Sequence, residues 1–561
     1  MDVREYDIVC IGAGGAGVTA AITAAAAGAR VLLLSKDPVG YGNTRIAVGV
    51  VASCGILPQD TPDVFYEDLV VGGEHLNNPK LARVMAEEAA LAPAIAESQG
   101  TLFRRDAEGG ISRGVAMRAG GHRYQRSVKA HGQGIGLGQA LRAAAARSDI
   151  DVLEETVTVT LLREGGRIAG LVAWDLAAGE PVMVRAPVVI LATGGLGWMY
   201  YPHTDCMRSA TGDGYALGYE AGAELVDMEQ VQFLPFSCTH PTSMVGIFLG
   251  EPSFAGPQGR LLDGHGRELL VGIETMTRAQ VSRVIALELR KGNGTKHGGV
   301  LLDLRQNLET PRGRAAWQTM KEVGLLDIAK RAYGPKAYSW EEPWDVAPTV
   351  HFQMGGLRID EHGATSLPGL YAAGEAAGGV HGACRLGSVA LAELFVFGRR
   401  AGLAAAEFAR GGDRPPLPRD EAADSAAHLA GLPGARGEHR PIALVRQLQR
   451  LMWGKVGAVR DETQLSAAAA ELCQLADQAR SLRIGPERRQ NLEVLDAVEL
   501  RLMLLTADIV TRSALCRQET RGAHVRADYP HRDDARWLAN IVARRRNGGL
   551  SLAVEPVGGA R

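Results

Sequence analysis

The chain has 561 residues, which is too long for one ordinary hydrophobic core, so two to four domains are expected. Hydrophobic residues make up 46% of it and charged residues 22%, which is typical of a soluble globular protein rather than a disordered one. The formal net charge of −2 provides no overall field that would attract nucleic acid or an anionic membrane.

The cysteines and the N-terminus bear on cellular location. Seven scattered cysteines without a Cys-x-x-Cys pair are typical of free thiols in a reducing cytoplasm, and they encode neither an iron–sulfur nor a zinc site. The apolar N-terminal run lacks a preceding basic region, so it is not predicted to be an export signal. No run of about 18 apolar residues predicts a membrane span. A cytoplasmic protein is expected.

The first 34 residues predict a strand (6–11), a glycine-rich turn, an alanine-rich helix and a second strand (30–34). The turn contains Gly12-x-Gly14-x-x-Gly17, whose glycines allow a tight turn, close approach to a pyrophosphate and close helix packing. As a bare pattern the motif is weak. Its place between a strand and a helix predicts dinucleotide binding.

The remaining segments predict an α/β protein of several domains. Alternation over 151–175 predicts antiparallel strands, and 188–192 is an apolar strand. Strand–helix alternation stops between about 240 and 344, which predicts an inserted capping domain. A proline-rich linker, a helical domain and a tail are expected to follow. In chain order the units are a dinucleotide-binding domain (1–240 and 345–412), the capping domain (241–344), a linker (411–425) at the start of a C-terminal helical domain (413–545), and a loose tail (546–561).

Several motifs, taken in chain order, span nearly the whole sequence. They are Leu191-Ala192-Thr193-Gly194-Gly195, Thr211-Gly212-Asp213-Gly214, the segment 345–400 with HFQMGG, GLYAAGEAAGG and ACRLGS, Arg521-Gly522-Ala523-His524 and Asp528-Tyr529-Pro530. In this combination the chain resembles the fumarate reductase, succinate dehydrogenase and L-aspartate oxidase flavoprotein superfamily, as a divergent member.

The resemblance implies a Rossmann-like FAD-binding domain, an inserted α+β capping domain and a C-terminal helical domain. Strand two ends at Ser35-Lys36 instead of the Asp or Glu that binds ribose in NAD proteins, which favours FAD. Relatives with covalent FAD carry a histidine in the segment equivalent to 42–45, which has none here, so non-covalent FAD is expected. The implied FAD-contacting residues are Gly12, Gly14, Gly15, Gly17, Ser35, Lys36, Asn43, Thr44, Val157, Ala192, Thr193, Gly194, Asp213, Glu375, Arg385, Ser388, Ala390 and Leu391.

The resemblance also implies four catalytic residues. Arg278, in Thr277-Arg278, matches the family's proton donor; an arginine needs a polarising partner in a water-poor site for this role. The family's glutamate in its T-E motif is retained as Glu251 and would manage the proton together with Arg278, while the usual Asp after Arg278 is Ala279. His351 and Arg385 match the residues that bind the substrate carboxylate. Without the family, Arg278 would be interpreted as a solvated surface arginine, His351 as a core histidine and Arg385 as part of a structural ion pair.

Other family positions have lost their polar groups. The family's substrate histidine is Leu234, its threonine is Gly250, and its relay arginine is Phe254. Two family asparagines near Arg385 are Cys384 and Val389. Burying a second, unpaired carboxylate against such groups would cost several kcal/mol. A substrate with one carboxylate and an apolar portion is therefore expected instead of a simple four-carbon dicarboxylate.

The leading functional hypothesis is an FAD-dependent dehydrogenase or reductase that moves a hydride between flavin N5 and a carbon next to a carboxylate. The electrons would be exchanged with a separate iron–sulfur subunit, with oxygen or with a quinone-linked partner, and the C-terminal helical domain would dock a partner or a second copy. One alternative is L-aspartate oxidase-like amine oxidation. Another is an electron-transfer subunit without substrate turnover of its own, which the loss of the relay arginine at Phe254 favours.

Overall fold

The computed structural model describes residues 3–111, 118–412 and 414–558, and in these ranges the chain forms 22 strands. They are β1 (Val3–Glu5), β2 (Ile8–Ile11), β3 (Val31–Leu34), β4 (Val50–Ala52), β5 (Ser127–Lys129), β6 (Asp151–Leu153), β7 (Thr156–Glu164), β8 (Arg167–Asp175), β9 (Glu180–Arg185), β10 (Val188–Leu191), β11 (Leu225–Val226), β12 (Val231–Cys238), β13 (Phe248–Gly250), β14 (Arg260–Leu262), β15 (Glu268–Val271), β16 (Val300–Asp303), β17 (Trp344–Gln353), β18 (Gly356–Arg358), β19 (Leu370–Ala372), β20 (Ala377–Gly378), β21 (Ala539–Arg546) and β22 (Gly549–Pro556).

The helices of the described ranges are α1 (Gly15–Ala26), α2 (Asn43–Ile46), α3 (Pro62–Gly72), α4 (Pro79–Glu88), α5 (Ala92–Ser98), α6 (Gln133–Arg147), α7 (Asp213–Glu220), α8 (Arg278–Arg290), α9 (Pro311–Glu322), α10 (Leu325–Tyr333), α11 (Pro335–Tyr338), α12 (Val389–Gly411), α13 (Arg419–Ala430), α14 (Pro441–Lys455), α15 (Glu462–Gln478), α16 (Leu492–Cys516) and α17 (Asp534–Trp537). None of these helices is long and apolar enough to cross a membrane.

A five-stranded parallel sheet in the order β19-β10-β2-β3-β6 forms the centre of the molecule. Strands β2, β3 and β10 are apolar and buried along their whole length, as expected for a parallel sheet covered on both faces. Helix α1 begins four residues after β2 and packs against α12. The carboxyl ends of β2, β3 and β10 therefore open towards one edge, where such sheets bind ligands.

The antiparallel strands predicted for 151–175 are confirmed in β7 and β8, which pair from Thr156↔Asp175 to Glu164↔Arg167. The prediction was wrong for β6, which pairs in parallel with β3 at the edge of the central sheet. A further antiparallel sheet, in the order β13-β12-β17-β16-β14-β15, has its own cluster of buried side chains between Phe236 and Val346. Strands β12 and β17 belong to this sheet although most of their residues lie outside the predicted capping domain (241–344). The sheet therefore extends across both predicted boundaries of that domain.

The predictions for the C-terminal part were wrong at two places. Residues 546–556 are not a loose tail, because β22 pairs with β21 along its whole length. The connecting Asn547-Gly548 has positive φ at both residues, as a two-residue hairpin turn requires. The predicted linker 411–425 is helical from Arg419, where α13 begins with Asp420 and Glu421 in its first turn.

Candidate active site

A cavity of about 570 Å³ extends from the edge of the parallel sheet to the six-stranded antiparallel sheet. It brings together residues separated by more than 370 positions, from Gly12 to Leu391. All the predicted FAD-contacting residues except Gly17 lie on its wall. The four predicted catalytic residues, Glu251, Arg278, His351 and Arg385, lie on the same wall.

The glycine-rich turn has the backbone that its motif predicts. Gly12 has φ +103°, and a Cβ added to it would stand 2.3 Å from the carbonyl oxygen of Ala192. A Cβ at Gly17 would stand 1.7 Å from the carbonyl oxygen of Gly12, so Gly17 serves helix packing and lies off the cavity. At Gly14 the nearest atom would be 3.6 Å away. This open turn at the N-terminus of α1 fits a pyrophosphate.

Lys36 lies at the end of β3 and is held by acidic side chains from distant parts of the chain. Its Nζ donates to carboxylate oxygens of Asp213 and Glu499, each at 2.7 Å, and to Thr211 Oγ1 at 2.6 Å. Lys36 and Asp213 also line the cavity. The ammonium group is therefore neutralised by protein carboxylates, and this network fixes the cavity wall where β3, α7 and α16 meet.

Polar groups between the glycine turn and the catalytic residues provide a second test of the fit to FAD. Glu375 accepts hydrogen bonds from Asn43 Nδ2 at 3.3 Å and from the Gln353 amide at 3.0 Å. Burial raises the pKa of this carboxyl to about 7. Within the described chain Thr193 Oγ1 has no hydrogen-bond partner. Hydroxyls and amides of a dinucleotide would satisfy such groups, so the residues present fit FAD.

Arg278 and Glu251 form a buried pair. Arg278 Nε donates to Glu251 Oε2 at 2.6 Å, and its Nη2 contacts the same oxygen. Nη1 donates to Gln232 Oε1 at 3.3 Å. Burial raises the pKa of Glu251, but the charge and hydrogen bond of Arg278, together with the Gly120 amide and the charge of Arg385, bring it below its ordinary value. Capping of α8 by Thr277 fixes the start of the helix that carries Arg278.

Arg385 is buried, with 4% of its surface exposed, yet it forms no ion pair with any carboxylate of the described residues. Its Nη1 donates to the carbonyl oxygen of Leu386 at 3.0 Å, and its Nε has no partner in the described ranges. Burial, followed by the charge of Arg278, lowers the pKa of Arg385 to about 9. An anion beside this guanidinium would remove an unfavourable buried charge.

His351 lies on β17, and its Nδ1 is 2.9 Å from a carboxylate oxygen of Asp205. Burial lowers the pKa of His351, and Arg385 and Arg278 lower it further against the opposing effect of Asp205. In the neutral tautomer that donates from Nδ1 to Asp205, Nε2 is a hydrogen-bond acceptor. Donation from Nε2 to a carboxylate would therefore require a protonated ring or a different tautomer.

Apolar side chains line the cavity on the side of the antiparallel sheet. Leu234 and Phe254, which replace polar family residues, both lie on this wall. A Cβ at Gly250 would stand 3.3 Å from Met320 Cε and 3.9 Å from Phe254 Cδ2, so the glycine leaves room for the packing around Phe254. The other apolar groups here are Ile247, Phe248, Val323, Leu325 and Ile328. Cys384 and Val389, expected to make the pocket less polar, do not line it.

Sequence reasoning missed three residues that support the site. They are Asp205, which holds His351, Gln232, which holds Arg278, and Phe352, whose ring lies below Arg385. Gln232 lies two residues before Leu234 and Phe352 lies inside the motif HFQMGG, so both stand next to positions that the family motifs indicate. No local pattern marks Asp205.

Comparisons with known proteins agree with this architecture. A family model described as FAD binding domain matches residues 7–391, and one described as fumarate reductase flavoprotein C-term matches 445–560. The chain is 37% identical over 554 residues to a fumarate reductase (CoM/CoB) subunit of Methanothermobacter marburgensis, covering 97% of this chain and 98% of that protein. It is 33% identical to L-aspartate oxidase of Streptomyces coelicolor, covering 98% and 93% of the two chains.

Among solved structures, Mycobacterium smegmatis Sdh1 in complex with UQ1 matches with a TM-score of 0.88 and 32% identity, covering 100% of this chain and 95% of that one. The family match covers more than half of the sequence, and the fold, the glycine turn and the cavity agree with it. The chain therefore belongs to the FAD-dependent fumarate reductase and succinate dehydrogenase flavoprotein family.

Proposed function

We propose that this FAD-dependent oxidoreductase acts on a bond next to a single carboxylate, in a substrate whose remaining part is apolar. FAD, when bound, exchanges a hydride with a substrate carbon at N5. The observation that carries the proposal is the buried Arg385, a cation without an acidic partner in the described chain, beside a wall that contains Leu234 and Phe254.

The charges of the site favour one anionic group. Arg278 is already paired with Glu251, so Arg385 is the buried arginine of this wall that needs an anion. A substrate carboxylate could form a bidentate pair with Arg385. A second carboxylate would lie against Leu234 and Phe254, where burial without a partner costs several kcal/mol. The rest of the substrate is therefore apolar.

The pair of Arg278 and Glu251 supports a role in proton transfer. When a C=C bond is reduced, Arg278 donates a proton to the substrate carbon that does not receive the hydride. The carboxylate of Glu251 then takes up a proton from water and passes it to Arg278. In the oxidative direction the same groups remove and accept that proton. The contact between Arg278 Nε and Glu251 at 2.6 Å provides the polarising partner that an arginine needs for this role.

The retention of both Arg278 and Glu251 also favours substrate turnover over a role in electron transfer alone. L-aspartate oxidation, the activity in the name of a relative, would bring two carboxylates into the cavity and meets the same objection at Leu234 and Phe254. We further propose that a separate iron–sulfur or quinone-linked protein exchanges electrons with this chain, since its Methanothermobacter marburgensis relative is named as one subunit of a fumarate reductase.

The test begins with the purified holoprotein. Acid precipitation should release all the FAD, because α2 carries no histidine that could hold it covalently. Reoxidation of the reduced flavin is then followed with trans-2-hexenoate and cinnamate, with fumarate as the dicarboxylate control, and flavin reduction with the corresponding saturated acids. Faster reaction of the monocarboxylates supports the proposal. Preference for fumarate or succinate would overturn it.

A further inference from the structure

Two loops that supply the active site are tied to each other by hydrogen bonds. The amide of Gly387 donates to the carbonyl oxygen of Gly120 at 3.0 Å. The carbonyl oxygen of the same Gly387 lies 2.7 Å from His122 Nε2. We call these two contacts the Gly120–Gly387 clasp. One loop carries Ala119 into the cavity wall, and the other carries Arg385 and Ser388.

The clasp lies against both Arg278 and Glu251. The Gly120 amide donates to Glu251 Oε1 at 3.4 Å, and a Cβ at Gly120 would stand 3.0 Å from Glu251 Oε2. A Cβ at Gly387 would stand 3.2 Å from Arg278 Nη2 and 2.7 Å from the Cβ of Ala119. Because neither glycine leaves spare room, a shift of one loop displaces Glu251 or Arg278.

His122 anchors the clasp to the interior. Arg126 Nη1 lies 3.1 Å from His122 Nδ1, and Arg126 is fully buried between Asp60 at 2.6 Å and Asp68 at 2.9 Å. An arginine can only donate, so Nδ1 is the acceptor and Nε2 carries the hydrogen that Gly387 accepts. Burial and then the charge of Arg126 lower the pKa of His122 to about 3, so the ring stays neutral.

We propose that His122 is a positioning residue, which as the neutral Nε2–H tautomer holds Gly387 against Gly120 and so fixes Arg278 and Glu251 relative to Arg385. The inference rests on the proposed function, because it assigns His122 to the proton-transfer geometry of that site. His122 belongs to none of the motifs that relate this chain to its family, and its contacts become visible only in the folded structure.

The test compares two substitutions of similar size. His122→Gln can still place an amide hydrogen near the Nε2 position and donate to Gly387, whereas His122→Asn reaches only the Nδ1 position. We expect His122→Gln to keep kcat within about threefold and His122→Asn to lower kcat about 10²-fold with little change in KM, as for a misplaced catalytic group. The solvent deuterium isotope effect on kcat should rise in His122→Asn alone, because proton transfer becomes slower. His131→Asn, an exposed site in the same region, is the control.

A second measurement does not need turnover. Hydrogen exchange of the Gly387 amide should be slow in the wild type and in His122→Gln, and about tenfold faster or more in His122→Asn. If all monocarboxylates fail as substrates while exchange changes as expected, the proposed substrate fails and the clasp stands. Equal kinetics or equal exchange in the two variants, with FAD retained and unfolding unchanged, would overturn the positioning role.

Discussion

The guanidinium carbon of Arg385 lies 4.8 Å from the ring centroid of Phe352, so an aromatic face, and no carboxylate of the described chain, holds this buried cation. The face of an aromatic ring stabilises a cation only by roughly 0.5–2 kcal/mol. That is less than the several kcal/mol lost on burying a charge. The difference makes the guanidinium a strong binding site for an anion.

Replacing Arg385 should therefore remove the binding site for the substrate anion. Arg385→Ala is expected to lower kcat/KM for the best monocarboxylate about 10³-fold, because one partner of a buried charge pair is lost. Arg385→Lys keeps the charge but loses bidentate geometry, and should recover only part of the rate. The measurement is steady-state kinetics with FAD content determined for each variant. A rate that is unchanged in Arg385→Ala would place the anion elsewhere.

The apolar wall predicts that substrate preference can be shifted. Phe254→Arg combined with Leu234→His restores a cation and a polar group to a cavity wall that now carries neither at those positions. We expect kcat/KM for fumarate to rise and that for cinnamate to fall, each by about tenfold or more, since each pocket contact is worth about 1–3 kcal/mol. Gly250 should be left unchanged, because a Cβ there would stand 3.3 Å from Met320 Cε at φ +143°.

The control for this exchange is Phe254→Leu, which changes size but not polarity. It should keep the preference for monocarboxylates, so that a gain of fumarate turnover in the double variant can be assigned to the new polar groups. Fumarate turnover that rises equally in Phe254→Leu would mean that the aromatic ring blocks access to the cavity, and that polarity does not decide the substrate.

The parts of this fold that local chemistry determines could be predicted from the sequence. Strands β2 and β3 and helix α1 follow from apolar runs around a glycine turn, and the two strands form within two residues of their predicted limits. The hairpin at Asn547-Gly548 carries an equally local signal, an Asn-Gly pair between two strands, which the prediction of a loose tail did not use.

The site itself could be predicted only through family motifs, because its members meet across the whole chain. His351 is held by Asp205, 146 residues earlier, and Lys36 by Glu499, 463 residues later. Periodicity and spacing carry no information on such contacts. The motifs correctly predicted that residues from Gly12 to Leu391 share one site. They carried no information on the position of Gly17 off the cavity or on the missing partner of Arg385 in the described chain.

The network around Lys36 should contribute strongly to stability. Lys36→Met leaves Asp213 as a buried carboxylate without a cation, while Glu499 keeps its ion pair with Arg208, and this should lower the free energy of unfolding by about 3 kcal/mol. Urea denaturation of the apoprotein measures the change. Adding Asp213→Asn to Lys36→Met should recover part of it, since the carboxylate that has lost its cation is removed.

A surface pair provides the comparison for this variant. Arg83 contacts Asp63 at 2.6 Å, but the two side chains are 38% and 82% exposed. Arg83→Met should therefore change the free energy of unfolding by less than about 1 kcal/mol. An effect of Lys36→Met as small as that of Arg83→Met would contradict the assigned role of the network.

Glu375 predicts a pH dependence of stability in the apoprotein. Its pKa rises from 4.5 to about 7 on folding, with burial as the largest cause. Between these values the folded state holds a proton that the unfolded state has released, so stability falls as pH rises from about 4.5 to 7. Glu375→Gln removes this loss. Its advantage over the wild type should be small near pH 5 and reach about 1–3 kcal/mol at pH 8, because the carboxylate is only partly buried. Urea denaturation of both apoproteins at several pH values tests this, and a difference that stays constant with pH would rule out the raised pKa.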